Sequence, residues 1–521
     1  MNHKSIGQGR PLSIAATVVA GLVAVSVLTA CGPSGSAPAN EDELVIVVPE
    51  EPTSLDACDS LNSSRSRVLR DNVLEGLTTR DPESGEITPL LATSWSSPDN
   101  LTWTFELREG VTFHDGEPFN AAAVVTSIER LFDENLACDN ANDLFRPPTP
   151  VSVEATDDLS VTISLDQADP IFPLRMSFVH ISSPNTPRDS KGDAAIGTGP
   201  YEISEWAHGE HIQLDRVDDY WGDEPSIASA RFIFRAESPV RAAMVDRGEA
   251  DLAFGIASQD VADGANVQTF DNGETTYFRM DAEVAPLDDI RLREAINLAT
   301  DRAAIIEAAF GGYASPAHEI FVPSTLGYNE DLEAWDYDPE RAAALVEEAA
   351  ADGVDVSKEI VLYGRPDFYP NAREVTEIVA SQWSAIGLNI RIENVEGGPW
   401  GELLLRPHDE ERSPNILQSS HGNTTGDASF TVVSKYTCEG SQSASCNPEF
   451  DRLVSEALTA ADVEERAALF AEAMAIQREQ VIQDVALAHM QGIVQLSDRL
   501  EYTVNIQSDF ALRIADMTLT G

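Results

Sequence analysis

At 521 residues the chain can bury a large core and is expected to form two or three domains. Its 34 basic and 88 acidic residues leave a net charge of −54. Such a surface repels nucleic-acid phosphates and anionic headgroups, which excludes nucleic acid as a natural partner and leaves a solvated acidic coat as the first reading.

Lys4 and Arg10 precede an apolar run, IAATVVAGLVAVSVLTA, from Ile14 to Ala30. A positive start, an apolar middle and small residues before a cut describe a signal peptide. As a spanning helix the run is marginal, because about 20 residues are needed to cross a bilayer. It ends in Leu28-Thr29-Ala30-Cys31, which resembles a bacterial lipobox, so residues 1–30 are expected to be cleaved. Cys31 would then be diacylated and become the mature N-terminus, anchored to the membrane by lipid alone. The residues that follow, GPSGSAPANEDE, suit a flexible tether over 31–40.

Cys58, Cys138, Cys438 and Cys446 remain. An even number in an exported chain suggests two disulfides. Cys438 and Cys446 flank EGSQSAS and are expected to staple that loop, which pairs Cys58 with Cys138 by elimination. A metal site is the rival, but neither pair has the close spacing of zinc ligands.

Leu44 to Val48 has the pattern of a buried strand. LTWTFEL (Leu101 to Leu107) and LSVTISL (Leu159 to Leu165) alternate apolar and polar residues, as half-exposed antiparallel strands do. Between them, LREGVTFHDGEPFNAAAVVTSIER sets His114, Asp115 and Glu117 close together. The local chemistry is that of a turn. Asp115-Gly116 is a favoured turn pair, and Phe113 and Phe119 can pack across it. Asn120 suits a helix N-cap, and Val124, Ile128, Leu131 and Phe132 follow at helical spacing. No nucleophile lies nearby.

Further on, EIVLY is a strand and Val375, Ile378, Val379, Trp383 and Ile386 form one helical stripe. Gly387 can end that helix, and Ile390 and Ile392 belong to a second strand. This βαβ unit predicts a parallel pair. Asp338-Pro339 opens another helix, and ERAALFAEAMAIQREQ forms a further long one. The class is α/β with at least two lobes.

Several of these segments carry a resemblance. The stretch Leu107 to Arg130 resembles the signature segment of the family 5 extracellular solute-binding proteins, the peptide, dipeptide and nickel receptors of ABC importers. GTGPYEI, DRGEADLAF, DDIRLREAINLATDRAAII (one helix in that pattern), SPAHEIFVP, LGYN and the Asp-Pro helix start follow in the order of that family's pattern. The resemblance covers nearly all of the mature chain. It implies a two-lobed, periplasmic-binding-protein-like fold of type II, similar to cluster C, with an extra domain and a ligand cleft between the lobes. Domain I would take residues 41–88, 192–286 and 485–521, domain II 89–191 and domain III 287–484. The lobes close on a solute by a hinge, and the closed form docks on a permease served by a cytoplasmic ATPase. A monomer with no cofactor and no catalytic activity is expected, with the FHDG segment as scaffold.

Peptide receptors of this family hold the ligand's ammonium with an aspartate preceded by a tryptophan. Counting back from Phe430 puts Asn423 at the aspartate position and Ser420 at the tryptophan, with His421 and Gly422 between. Asparagine supplies no counter-charge, and a buried ammonium without one is costly. Asp427 substitutes if the loop is shifted; otherwise the ligand is a blocked peptide, an oligosaccharide or another polar solute. Leu61, Asn62 and Ser63 match a segment that meets ligands through backbone atoms. Tyr277 and Trp400 are further cleft candidates, with core packing as the alternative for each. HGEH (His208, His211) lies on a strand and loop that point the two rings apart. Nickel recognition lacks the matching arginine and tryptophan, and HDEER (His408 to Arg412) reads as a solvated loop. A secreted hydrolase, the rival of another class, would show G-x-S-x-G or HExxH, and neither occurs.

Overall fold

The computed structural model describes residues 42–520 apart from 62, 82–84, 146–148, 193, 367, 410, 424 and 505–511. The expected signal segment, Cys31 and the tether lie outside the described residues.

Two long strands, Val267–Met280 and Asp484–Leu496, run antiparallel along nearly their whole length and form the spine of an 11-stranded sheet. At one end the spine continues through Leu252–Phe254 to Glu43–Val48, Ser229–Phe234, His211–Arg216 and Tyr201–Ala207. At the other end Asn415–Gly422 pairs with Val267–Met280 and leads to Glu359–Gly364 and Asn389–Asn394. One sheet therefore passes through the segments assigned to domains I and III. A separate four-stranded antiparallel sheet, from Ala92–Ser96, Thr102–Leu107, Ser160–Leu165 and Pro150–Asp157, falls within 89–191.

Local chemistry accounts for most elements. In the small sheet Trp103, Phe105 and Leu107 are buried on one face and meet Val161, Ile163 and Leu165. Leu101 departs from the expected face: it precedes the strand and is 37% exposed. The βαβ unit forms as a parallel pair, Glu359–Gly364 with Asn389–Asn394. The helix between them, Ala372–Ala385, buries Val375, Val379 and Trp383, and Gly387 follows at φ +98°. The second strand is an edge, so Ile392 stays exposed. Asp338 caps Pro339–Ala351 by accepting from the Arg341 N–H. DDIRLREAINLATDRAAII makes two helices where one was expected, Ile290–Leu298 and Arg302–Phe310. Asp289 and Asp301 each accept an N–H as N-caps, and the second cap starts a new helix.

The FHDG segment is scaffold. Phe113 and Phe119 pack edge-on, 6.2 Å between centroids, and Asn120 caps Ala121–Leu131. The His114 N–H donates to Gly197 O, its Nε2–H donates to Gly199 O at 3.0 Å, and Nδ1 accepts from the Gly197 N–H. These bonds require the Nε2–H tautomer, and burial holds the ring's pKa below its ordinary value. The glycines of GTGPY have a steric cause. A Cβ on Gly197 would sit 1.9 Å from Val73 O, and one on Gly199 2.4 Å from Asn72 O.

Disulfides join Cys58 to Cys138 and Cys438 to Cys446. Beside the first, Asp56 accepts two bonds from Arg130, each at 2.7 Å, in a buried pair. HDEER is tied down, unlike the solvated loop expected of it. Arg412 binds the buried Asp281 at 2.6 Å and Glu283 at 2.8 Å, and the His408 side chain is buried. Arg412 finds fixed partners at Asp281 and Glu283, which the one-dimensional pattern does not reveal, while Asp409 and Glu411 stay exposed as expected.

His114→Ala removes the two ring bonds to GTGPY, leaves the backbone bond to Gly197 O, and opens a partly buried gap. A loss of about 1–3 kcal/mol is expected in urea unfolding, with solute affinity of the folded protein unchanged.

Candidate functional site

Loop 420–427 sits where the strand Asn415–Gly422 leaves the sheet and the helix Ser429–Lys435 begins. Opposite it stand residues of segment 89–191. Between them is a cavity of about 700 Å³. Leu144, Asp169 and Arg175 line one wall; His421, Phe430 and Lys435 lie on the other. The two walls touch where the Arg175 guanidinium lies 4.4 Å over the Phe430 ring. A second bridge runs from Arg80 to Ser324 O at 3.0 Å. Gly426 beside it has φ +71°, a left-handed conformation that favours glycine.

Of the residues singled out in this loop, the cavity is lined by His421. Its Nε2 lies 2.9 Å from Thr431 Oγ1, and burial holds its pKa well below the ordinary value, so the ring is neutral. Ser420 donates to Glu274 at 2.5 Å. Gly422 ends the strand opposite Glu274. Asn423 is buried, and its amide donates to Gly273 O and Ile320 O, both at 3.1 Å. Its side-chain oxygen accepts from Thr325 at 3.4 Å. Asp427 is buried too. Both its oxygens bind Arg466 at 3.0 Å, and one also caps the Ser429 N–H. Asn423 thus closes the loop on the neighbouring strand, and the charge of Asp427 is already met by a guanidinium.

The aromatic candidates also have neighbours. Tyr277 is buried in the core beneath Phe321 and Tyr436, and its Oη accepts from Lys435 at 2.7 Å. Trp400 donates to Gln418 O at 3.0 Å and packs edge-on against Phe368. The Leu61 N–H donates to the Asn140 side chain at 3.0 Å. Asn62 lies outside the described residues, as does the side chain of Ser63, the first residue of the helix Ser63–Leu69. Sequence reasoning missed Arg175, Phe430, Lys435 and Arg466. Phe430 served only to fix the count of the loop and Arg466 only as part of a helix; what they meet, Arg175 and Asp427, lies far along the chain.

Among the described residues there is no group of three or more side chains suited to a metal ion. His208 faces Glu51 at 3.4 Å and His211 faces Glu205 at 3.5 Å, each a separate pair. Three acids raised by burial stand apart from the cavity lining. Burial raises Glu319 to about 8 and Asp484, the first residue of its spine strand, to about 6, although Tyr436 donates to Asp484. Glu75, in the short strand Glu75–Gly76, is raised to about 7 despite three donors, Thr198, Tyr220 and Trp221.

Residues 86–443 match the bacterial extracellular solute-binding proteins, family 5, over the middle part of that family. The chain belongs to this family. It is 28% identical to the dipeptide-binding protein of Escherichia coli (strain K12), over 76% of this chain and 79% of that one. It is likewise 28% identical to the glutathione-binding protein GsiB of Escherichia coli O1:K1 / APEC, over 88% of this chain and 90% of that one. The fold matches the structure of HbpA2 from Haemophilus parasuis with a TM-score of 0.81 at 23% identity, covering 92% of this chain and all of that one. The architecture is therefore the two-lobed α/β fold of periplasmic binding proteins. The chain is an extracellular solute-binding protein, a binding protein rather than an enzyme.

Asn423→Asp would turn a carboxylate towards two carbonyl oxygens that now receive N–H bonds. It is expected to lower stability by about 1–3 kcal/mol in urea titration. Glu319 carries a pH signature. Its folded pKa lies above the ordinary carboxylate value, so stability is full at low pH and is lost as pH rises towards about 8. Glu319→Gln should therefore raise the melting temperature more at about pH 8 than at about pH 5, as scanning calorimetry can measure.

Proposed function

We propose that the chain is a lipid-anchored receptor that captures a short peptide or peptide-like solute between its lobes and delivers it to a membrane permease. The observation that carries this reading is the cavity of about 700 Å³ with walls from two separate sheets' domains. That volume is in the range of pockets that enclose small organic solutes, about 300–1,000 Å³. The relatives named for dipeptide and glutathione binding support a peptide as the cargo.

The domain division at 41–88, 192–286 and 485–521, with 89–191 and 287–484 apart, belongs to the same reading. Within it, His421, Ser420 and Gly422 border the solute, with Tyr277 and Trp400 behind them. Leu61, Asn62 and Ser63 offer backbone atoms from domain I. The amine contact is relocated: Asn423 is engaged with Gly273 and Ile320, and Asp427 with Arg466. A solute's ammonium therefore meets no spare carboxylate from either residue. Cys31 anchors the receptor, and the tether keeps it at a high effective concentration beside the permease.

Native mass spectrometry of the purified receptor should show a co-purifying peptide-like solute. Adding that solute should shrink the radius of gyration in small-angle scattering. Steady release of a chemically altered product, or no compaction with any peptide pool, overturns the reading. Mass analysis of the mature N-terminus should find a diacylated Cys31.

A further inference from the structure

Only four of the 34 basic residues are lysines: Lys4, Lys191, Lys358 and Lys435. Lys191 forms an ion pair with Asp59 at 2.8 Å, and Lys358 donates to the Ala285 carbonyl at the surface. Lys435 is different. It ends the helix Ser429–Lys435 and lines the 700 Å³ cavity. Its ammonium donates to Tyr277 Oη at 2.7 Å and to Gln442 Oε1 at 3.0 Å, two neutral oxygens, and lies 5.2 Å from the Tyr277 ring centroid. Among the described residues it forms no ion pair; the Asp484 carboxyl, bonded to the neighbouring Tyr436, feels its charge without touching it.

The other charges on the cavity wall are accounted for differently. Asp169 and Arg175 neutralise each other at 2.7 Å, and Arg466 is held by Asp427. Glu439 is solvent-exposed. Lys435 is thus a half-buried cation, held by neutral oxygens and facing a space large enough for a solute. An ammonium carries three N–H donors, and two are occupied. In a protein of charge −54 the general field opposes an anionic group entering the cleft. A carboxylate can be held there only by a local cation that no protein carboxylate has already neutralised.

We propose that Lys435 is the carboxylate anchor of the cleft: its ammonium receives the terminal carboxylate of a peptide-like solute, while Tyr277 and Gln442 act as positioning residues that aim it. This assignment rests on the reading that the cargo is peptide-like. It also gives the cleft its polarity, because the acid end of the solute lies on the helix Ser429–Lys435.

The test uses two synthetic pools of tri- to pentapeptides with the same sequences, one ending in the free acid and the other in the C-terminal amide. Affinity is read by calorimetry and native mass spectrometry on the full mature receptor. The unaltered protein should prefer the acid pool by about tenfold or more. Lys435→Met should abolish that preference and Lys435→Arg should retain it. Tyr277→Phe, which removes the oxygen that holds the ammonium, should weaken the preference and provides a second measure if Lys435→Met does not fold. Equal capture of both pools by the unaltered protein, or an unchanged preference in folded Lys435→Met, overturns the anchor and leaves the peptide reading standing. Capture of neither pool overturns both.

Discussion

The antiparallel pairing of Val267–Met280 with Asp484–Leu496 is the constraint on which the rest of the structure depends. These strands exchange backbone hydrogen bonds from Val267 opposite Gln495 to Arg279 opposite Asp484. Leu252–Phe254 and Glu43–Val48 continue the sheet from one side of this ribbon, and Asn415–Gly422 and Glu359–Gly364 from the other. Any relative motion of the two sides must therefore bend a two-stranded ribbon. Its pairing shifts register between Asp271 and Thr275 and again between Thr276 and Tyr277. Such irregularities locally relax the ladder and increase its twist. At Gly492 the ribbon has no room for a side chain, because a Cβ there would sit 2.2 Å from the Phe270 ring. The loop that borders the cavity grows out of Asn415–Gly422, which is itself paired with this ribbon. The site's position is thus set by backbone hydrogen bonds, and its side chains are added to a frame already built.

Charge is organised by the same economy of space. The chain is strongly acidic, yet its interior uses arginine repeatedly to neutralise aspartate. Asp56 pairs with Arg130, Asp169 with Arg175, Asp427 with Arg466 and Asp281 with Arg412. In each pair the aspartate side chain is almost fully buried. An unpaired buried carboxylate is costly, and a bidentate guanidinium answers it with directed hydrogen bonds. Asp169 and Arg175 are six residues apart, but the other three pairs join segments far apart in sequence, so they specify which loops meet more than they add to net stability. Loop 420–427 is the clearest case. Asp427 supplies a charge that, read along the chain, looks available to a ligand, but Arg466 on a distant helix takes both oxygens.

The legibility of the sequence followed the range of the interaction. Asn120, Asp338 and the Asp115-Gly116 turn act within a few residues, and the structure has them as read. The alternation in Leu101 to Leu107 gave the buried face correctly from Trp103 onward but not its limit: the Leu101 carbonyl accepts from the Leu165 N–H, yet its side chain, just before the strand, stays exposed. One helix became two where Asp301 offered a second cap. HDEER, with five charged or titratable residues in a row, has the composition of a solvated loop. It is anchored because Asp281 and Glu283 happen to lie beside it in space.

What the sequence determined by itself was the family, the two-lobed architecture, the helix starts and the scaffold role of FHDG. These rest on short-range capping, turn and periodicity rules, or on an ordered set of motifs along the whole chain. What only the tertiary structure decided was the condition of each side chain near the cavity. Asn423 is engaged by two carbonyls, Asp427 by a guanidinium, and Lys435 by neutral oxygens alone. A side chain's availability depends on partners brought from tens or hundreds of residues away. Spacing along the chain carries no record of them.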